Sequence, residues 1–165
     1  MVNELSYVAK AKNNAAKYVL LGLIVTSMIF VIASNLATNF SGVLWVFALG
    51  FITATIYVYN KNVGSEYCYS VTNEGGRPTF LVSMKVGKTT KIMARIDLWS
   101  ISEIKRFSRK EYRAYKSDKG VIRYSYHPTM FADEVYFILV RSEHENADIV
   151  IEADESFIQA LNDSL

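Results

Sequence analysis

The segments Tyr18–Ser34, YVLLGLIVTSMIFVIAS, and Val43–Tyr59, VLWVFALGFITATIYVY, lie in a stretch that holds no Asp, Glu, Lys, Arg or His between Lys17 and Lys61. A helix rises about 1.5 Å per residue and a bilayer's hydrocarbon core is about 30 Å thick, so roughly 20 residues cross it and flanking residues supply any shortfall. A polar, small-residue break from Asn35 to Gly42 separates the two segments. The stretch predicts a transmembrane hairpin with helices over 18–34 and 43–59. Residues 1–62 are then an N-terminal segment plus two spans, and residues 63–165 have room for one small soluble domain.

Lys10, Lys12 and Lys17 precede the first span, Lys61 follows the second, and the connecting loop is uncharged. Lys and Arg stay on the cytoplasmic side, so the pattern predicts a two-pass cell-membrane protein with both termini and the soluble domain in the cytoplasm. Tyr18, Phe40, Trp45, Tyr57 and Tyr59 stand where amphipathic rings settle at headgroup level. The competing reading is a signal peptide cut near Ala33 or Ala37, against which the apolar run is longer than a signal core. Neither span holds an ionisable group, the usual mark of an ion or substrate path, so the spans read as an anchor. Gly50 and Ala54 have the spacing of closely approaching helices, and packing within the hairpin is the favoured use.

Charge divides the chain. Residues 1–123 carry 17 basic and 7 acidic side chains, whereas residues 124–165 carry 1 basic and 9 acidic, so the net charge of +2 conceals a basic part and an acidic part. The densest basic run includes Lys105, Arg106, Arg109, Lys110, Arg113 and Lys116. These six are the candidate contacts for an anionic phospholipid or a protein partner. The alternative is a solvated loop whose charges pair with the acidic part. Cys68 is the only cysteine, so no internal disulfide forms, and it reads as a strand or core residue in a reducing compartment.

Beyond Ser65 the periodicity changes to two. Strands are predicted over 66–72, 79–86 and 89–96, with turns at Asn73–Pro78 and Gly87–Lys88, then over 103–108, 121–127, 134–141 and 147–152. Ile101, Ile104 and Phe107 recur every third residue, which suggests a helical turn leading into the fourth strand. Asp154 is a candidate N-cap, and Phe157, Ile158, Leu161 and Leu165 follow helical spacing. The predicted fold class is a membrane α-hairpin plus an α+β soluble domain, about seven antiparallel strands in a bent sheet or split barrel capped by a C-terminal helix.

This order of parts resembles the bacterial pleckstrin-homology-like (PH-like) membrane proteins, which join a short transmembrane hairpin to a cytoplasmic PH-like domain. The residues that carry it are Tyr67–Thr72, Ile96–Ile104 and the strand-to-helix junction Ile149–Phe157 ending in Leu161. The resemblance implies a fold used for lipid headgroups, peptides and protein partners alike. Lipid-binding PH domains concentrate Lys and Arg around the loop joining their first two strands. The corresponding loop here, Asn73–Pro78, holds only Arg77, while Lys85, Lys88, Lys91 and Arg95 line the next hairpin. Nonspecific attraction to the leaflet is expected ahead of specific headgroup recognition.

No chemical motif stands out. His127 and His144 belong to no metal spacing, and neither a Walker loop nor a Rossmann glycine pattern is present. Asp148, Glu152, Asp154 and Glu155 are explained by helix capping and solvation ahead of a cation site. The aromatic interleaving of Arg109–Lys116 suits base stacking, but Tyr112 and Tyr115 are expected to pack on the domain and no nucleic acid is expected. No cofactor, metal or catalytic residue is called, and the protein is not expected to be an enzyme. The expected role is a membrane-anchored adaptor in the bilayer whose domain binds a protein partner or an anionic phospholipid. The alternative is an accessory subunit of a transport or envelope complex acting through its spans.

Overall fold

The computed structural model describes residues 5–12, 14–37, 39–115, 120–142 and 146–165. The apolar stretch forms two helices, α1 (Ala15–Leu36) and α2 (Ser41–Val58), and α2 runs on into one π-helical turn, Tyr59–Val63. Both are long and apolar enough to cross a membrane, and only 11% of the most apolar window of each is buried. The core helix of a soluble protein would be mostly covered. Here Leu21, Met28, Ile32, Val46 and Leu49 are all more than half exposed.

Small and aromatic residues join the two helices. Ala16, Ser27, Ser34 and Ala48 are buried, the two serine hydroxyls donate to Ile24 O and Val31 O, and Phe30 stacks on Phe47 and Phe51 at 5.6 and 5.4 Å. Compact side chains let the backbones approach. Gly50 takes no part in this, because a Cβ built on it meets nothing within 4 Å. The expected hairpin contact at Gly50 is therefore not the one made.

Outside the two helices, eight strands form among the described residues. β1 (Leu5–Ala9) precedes the helices, and β2 (Ser65–Glu74), β3 (Arg77–Val86), β4 (Thr89–Asp97), β5 (Ile101–Ser108), β6 (Ile122–Tyr126), β7 (Glu134–Arg141) and β8 (Asn146–Ile151) follow them. One sheet has the order β1-β2-β3-β4 and the other β5-β7-β8-β6. The seven predicted strands are all present, but two features depart from the expectation. β1 adds an eighth strand, and β6 runs parallel to β8, from Ile122 opposite Ala147 to Tyr126 opposite Ile151.

The position of β1 changes the architecture. It pairs antiparallel with β2, Leu5 opposite Val71 and Ala9 opposite Tyr67, so the apolar helical hairpin is the connection of a β-hairpin. Residues that the sequence reading assigned to a segment ahead of the spans thus build the edge of the first sheet.

Tyr67, Tyr69, Val71, Phe80, Val82 and Ile96 of the first sheet meet Tyr136, Ile138, Val140, Ile149 and Ile151 of the second in one core. The last helix packs into that core with Phe157, Ile158 and Leu161. It is α4 (Glu155–Asn162), capped by Asp154, whose carboxylate accepts from Phe157 N at 2.9 Å. β7 is apolar at nearly every position because both of its faces are covered. Its outward residues Val135, Phe137 and Leu139 form a second cluster with Phe107, Tyr112 and Tyr115.

The period of three around Ile101 has a local cause. A 3-10 turn, Leu98–Ser100, leads directly into β5, and a bulge between Ile101 and Glu103 shifts the register by one. Ile101 and Ile104 therefore both reach the main core.

Registers give the two sheets a common polarity. Ser65, Val86 and Thr89 lie side by side next to the exit of α2, so the Gly87–Lys88 turn is at the hairpin end. Glu74, Arg77, Thr79 and Asp97 mark the opposite end, at about 3.3 Å per residue some 30 Å away. In the second sheet Ile101, Val140 and Ala147 are distal, while Ser108, Glu134 and Ile151 are proximal.

Candidate membrane-facing site

β5 ends at Ser108, which starts a third helix, α3 (Arg109–Ala114), through a capping box. Ser108 N and Oγ donate to Glu111 Oε2 at 2.8 and 2.7 Å, bonds that hold the Glu111 carboxyl below its ordinary pKa, and Glu111 N donates back to Ser108 Oγ at 3.5 Å. The cap fixes where the helix begins. Arg109 and Arg113, four residues apart, then share one face.

The six basic residues singled out from the sequence separate into groups. Lys105 pairs with Glu103 at 2.9 Å, and Arg106 with Glu134 at 2.7 Å and Glu155 at 3.8 Å. The hydrogen bonds that Lys105 donates to Glu103 and Arg106 to Glu134 raise both basic pKa values. Arg109 lies 3.9 Å from Asp133 and 5.5 Å from the Phe131 ring. Lys110 and Arg113 have no ion-pair or hydrogen-bond partner among the described residues. Lys116 lies outside the described residues. Among the described residues, the pairing of the run with the acidic C-terminal part is thus made by Arg106 and Arg109.

The segment from His127 to Asp133 receives both feet of the hairpin. Lys12 N donates to Thr129 Oγ1 at 3.0 Å, and Asn62 Nδ2 donates to Pro128 O at 2.9 Å. Lys12 Nζ also stands 3.8 Å from Glu152, a carboxylate only 4% exposed. Arg109 N reaches the same segment through Asp133 O at 2.8 Å. His127 donates from Nδ1 to Thr129 O at 3.0 Å, since a carbonyl can only accept, and this fixes its tautomer. Burial, with the nearby Lys61 charge, pushes its pKa below 6.5 despite that bond.

Between this segment, α3 and the exit of α2 lies a pocket of about 300 Å³. Lys61, Arg109 and Arg113 line it together with His127, Tyr112 and Tyr57, and no carboxylate does so among the described residues. Phe131 stands at its edge, 51% exposed and with φ 57°. A bulky side chain in the left-handed region costs about 1–3 kcal/mol, which makes an exposed one conspicuous. Sequence reasoning found Arg109 and Arg113 but missed Lys61, His127 and Phe131. Lys61 is the first charge after the span, which was a usable signal; Phe131 gave none.

Tyr112 and Tyr115 pack on the domain, with ring centroids 5.7 and 5.0 Å from Phe137. Asp148 is fully buried and accepts from Arg141 at 3.1 Å and from the Tyr115 hydroxyl at 3.2 Å, so an ion pair replaces the expected solvation. A cavity of about 500 Å³ opens at the far end between β4 and β6, lined by Arg95, Asp97, Tyr124 and Tyr126 among others. Trp99, 81% exposed, is on the Leu98–Ser100 turn, in sequence between Asp97 and Ser100 of that lining. Among the described residues no group of His, Cys, Asp and Glu is placed to hold a metal ion.

Two sheets around one core, packed by a C-terminal helix and interrupted after the first strand by a hairpin long and apolar enough to cross a membrane, are the parts of a PH-like domain with an inserted helical hairpin. The family model described as Bacterial PH-like domain (DUF6106) matches residues 5–165, from the first residue of β1 through both helices to the last residue of the chain, and the protein belongs to that family. Comparison with curated proteins and with solved structures gives no match.

Proposed function

We propose that the protein is a non-catalytic, membrane-anchored adaptor. The hairpin crosses the bilayer with both chain ends in the cytoplasm, and the PH-like domain stands on that leaflet with its far end offered to a protein partner. The observation that carries this reading is the pairing of β1 with β2 around the hairpin. It holds both hairpin ends to one edge of the domain, so the membrane side and the free side are opposite ends of the same sheets. The positive residues Lys10, Lys12, Lys17 and Lys61 near those ends support the cytoplasmic assignment. Tethering adds function by raising effective concentration toward partners in the same membrane.

Trp99, exposed on the turn at the far end of the domain, is the residue on which a partner would anchor, since tryptophans are enriched among the side chains that carry interface energy. The non-catalytic part of the reading is supported by how the reactive groups are spent. His127 is bonded to Thr129 O, Asp148 to Arg141, and Asp154 caps α4.

The test is a pull-down from native membranes with the full chain and with Trp99→Ala. A partner held by the full chain and lost on Trp99→Ala supports the adaptor; partners indifferent to Trp99 oppose it. The second reading, an accessory subunit acting through its spans, is favoured by the open surroundings of Gly50. Partners lost on Gly50→Leu but kept on Trp99→Ala select that reading.

A further inference from the structure

The foot of the hairpin carries more than an anchor requires. Three cations from two elements, Lys61 after α2 and Arg109 with Arg113 on α3, line one pocket that no carboxylate lines among the described residues, Asp133 standing outside the lining 3.9 Å from Arg109. Arg113 has no partner among the described residues, although its neighbours on β5 are paired. Tyr57 and Val58, at the end of the apolar helix, line the same pocket. If α2 spans the bilayer, the pocket therefore lies at headgroup depth. Phe131 holds an exposed ring at the rim in a backbone conformation that disfavours it, next to Arg109.

We propose that this pocket binds the phosphate of an anionic phospholipid drawn from the leaflet that the hairpin crosses. Arg113, Arg109 and Lys61 supply the charge, and Phe131 and Tyr57 lie against the glycerol and acyl carbons. Guanidinium forks match phosphate oxygens, and aromatic rings suit the interface beneath them. The inference rests on the membrane reading of α1 and α2 and deepens it by naming a lipid class and its site. It sets the lipid contact at the end of the sheets opposite the Glu74–Arg77 turn, the position that lipid-binding PH domains use. It also predicts one retained lipid, where diffuse attraction to the leaflet predicts none in particular.

Native mass spectrometry of the detergent-solubilised full chain with added phosphatidylglycerol or phosphatidylcholine tests it. One phosphatidylglycerol should be retained per chain in preference to phosphatidylcholine. Arg113→Gln should weaken retention about tenfold, the scale of one charged hydrogen bond. Lys110→Gln, the same charge change one helix position outside the pocket lining, should leave it unaltered, and Phe131→Asn should weaken it while suiting the backbone. Equal retention by wild type and Arg113→Gln, or equal losses in Arg113→Gln and Lys110→Gln, overturns the pocket. Displacement by soluble glycerol phosphate at matching concentration overturns the lipid as its source. Carbonate extraction of proteoliposomes separates the two levels: a chain that stays in the vesicles without lipid preference overturns the pocket alone, and a chain that is released overturns the membrane reading beneath it.

Discussion

Two polar side chains, one buried and one half-buried, decide much at the scale of single residues. Tyr69 is fully buried, donates its hydroxyl to Tyr126 O at 2.6 Å and accepts from Glu152 N at 3.4 Å, linking β2 to β6 and to the residue after β8. Burial raises its phenol pKa far above 10, so it stays a donor throughout the accessible range. Tyr69→Phe should cost about 1–3 kcal/mol in denaturant unfolding, because the carbonyl and amide it served stay buried. A loss near zero would mean that water replaces the hydroxyl. His127 gives a pH dependence of known sign. Its folded pKa lies below 6.5, so its contribution is fully present above that value and is lost as pH falls through the unfolded and then the folded pKa. The melting temperature of the solubilised chain should therefore fall on going from about pH 7.5 to 5.5. His127→Asn should flatten that fall, and an unchanged slope would assign it to other groups.

Among the elements, those stabilised by near neighbours were legible. The spans announce themselves by an unbroken apolar run, and the meander of β2, β3 and β4 by alternation with turn residues between. β1 was not legible, because five residues of Leu-Ser-Tyr-Val-Ala gain a partner only across the hairpin, where no local pattern points. The parallel edge of β6 is equally a long-range choice. The capping box at Ser108 and Glu111 was there to be read, and it alone would have started α3 correctly. Of the site, the basic run was visible as composition. What divides it is partly local and partly distant: Lys105 pairs with Glu103 on its own strand, whereas Arg106 pairs with Glu134 and Glu155 far along the chain. A chain in which residues 11–63 are replaced by a short Gly-Asn turn should fold as a water-soluble domain, since β1 and β2 then meet through an ordinary hairpin. A chain that simply lacks residues 1–60 should aggregate through the bare edge of β2. Circular dichroism and size-exclusion of the two distinguish these outcomes, and equal behaviour would remove β1 from the account.

For the molecule as a whole, the hairpin and the domain are joined at two feet, through Lys12 to Thr129 and through Asn62 to Pro128. One orientation in the membrane is then expected. In a Cys68→Ser background, Ser41→Cys should react with an impermeant maleimide from outside intact cells, and Lys88→Cys only after permeabilisation; the reverse pattern would invert the topology. The same connectivity bears on biogenesis. On the ribosome β1 is made first, yet its partner β2 emerges only after both apolar helices, so the first sheet cannot close until they have been synthesised. A correctly inserted hairpin brings Ala9 and Tyr67 together and removes most of the entropy of closing that long loop. A stalled insertion leaves an open strand edge in view of chaperones and proteases. If the hairpin enters a membrane, that entry would act as a checkpoint on folding, and molecules that failed to insert would carry an unfinished sheet as their mark.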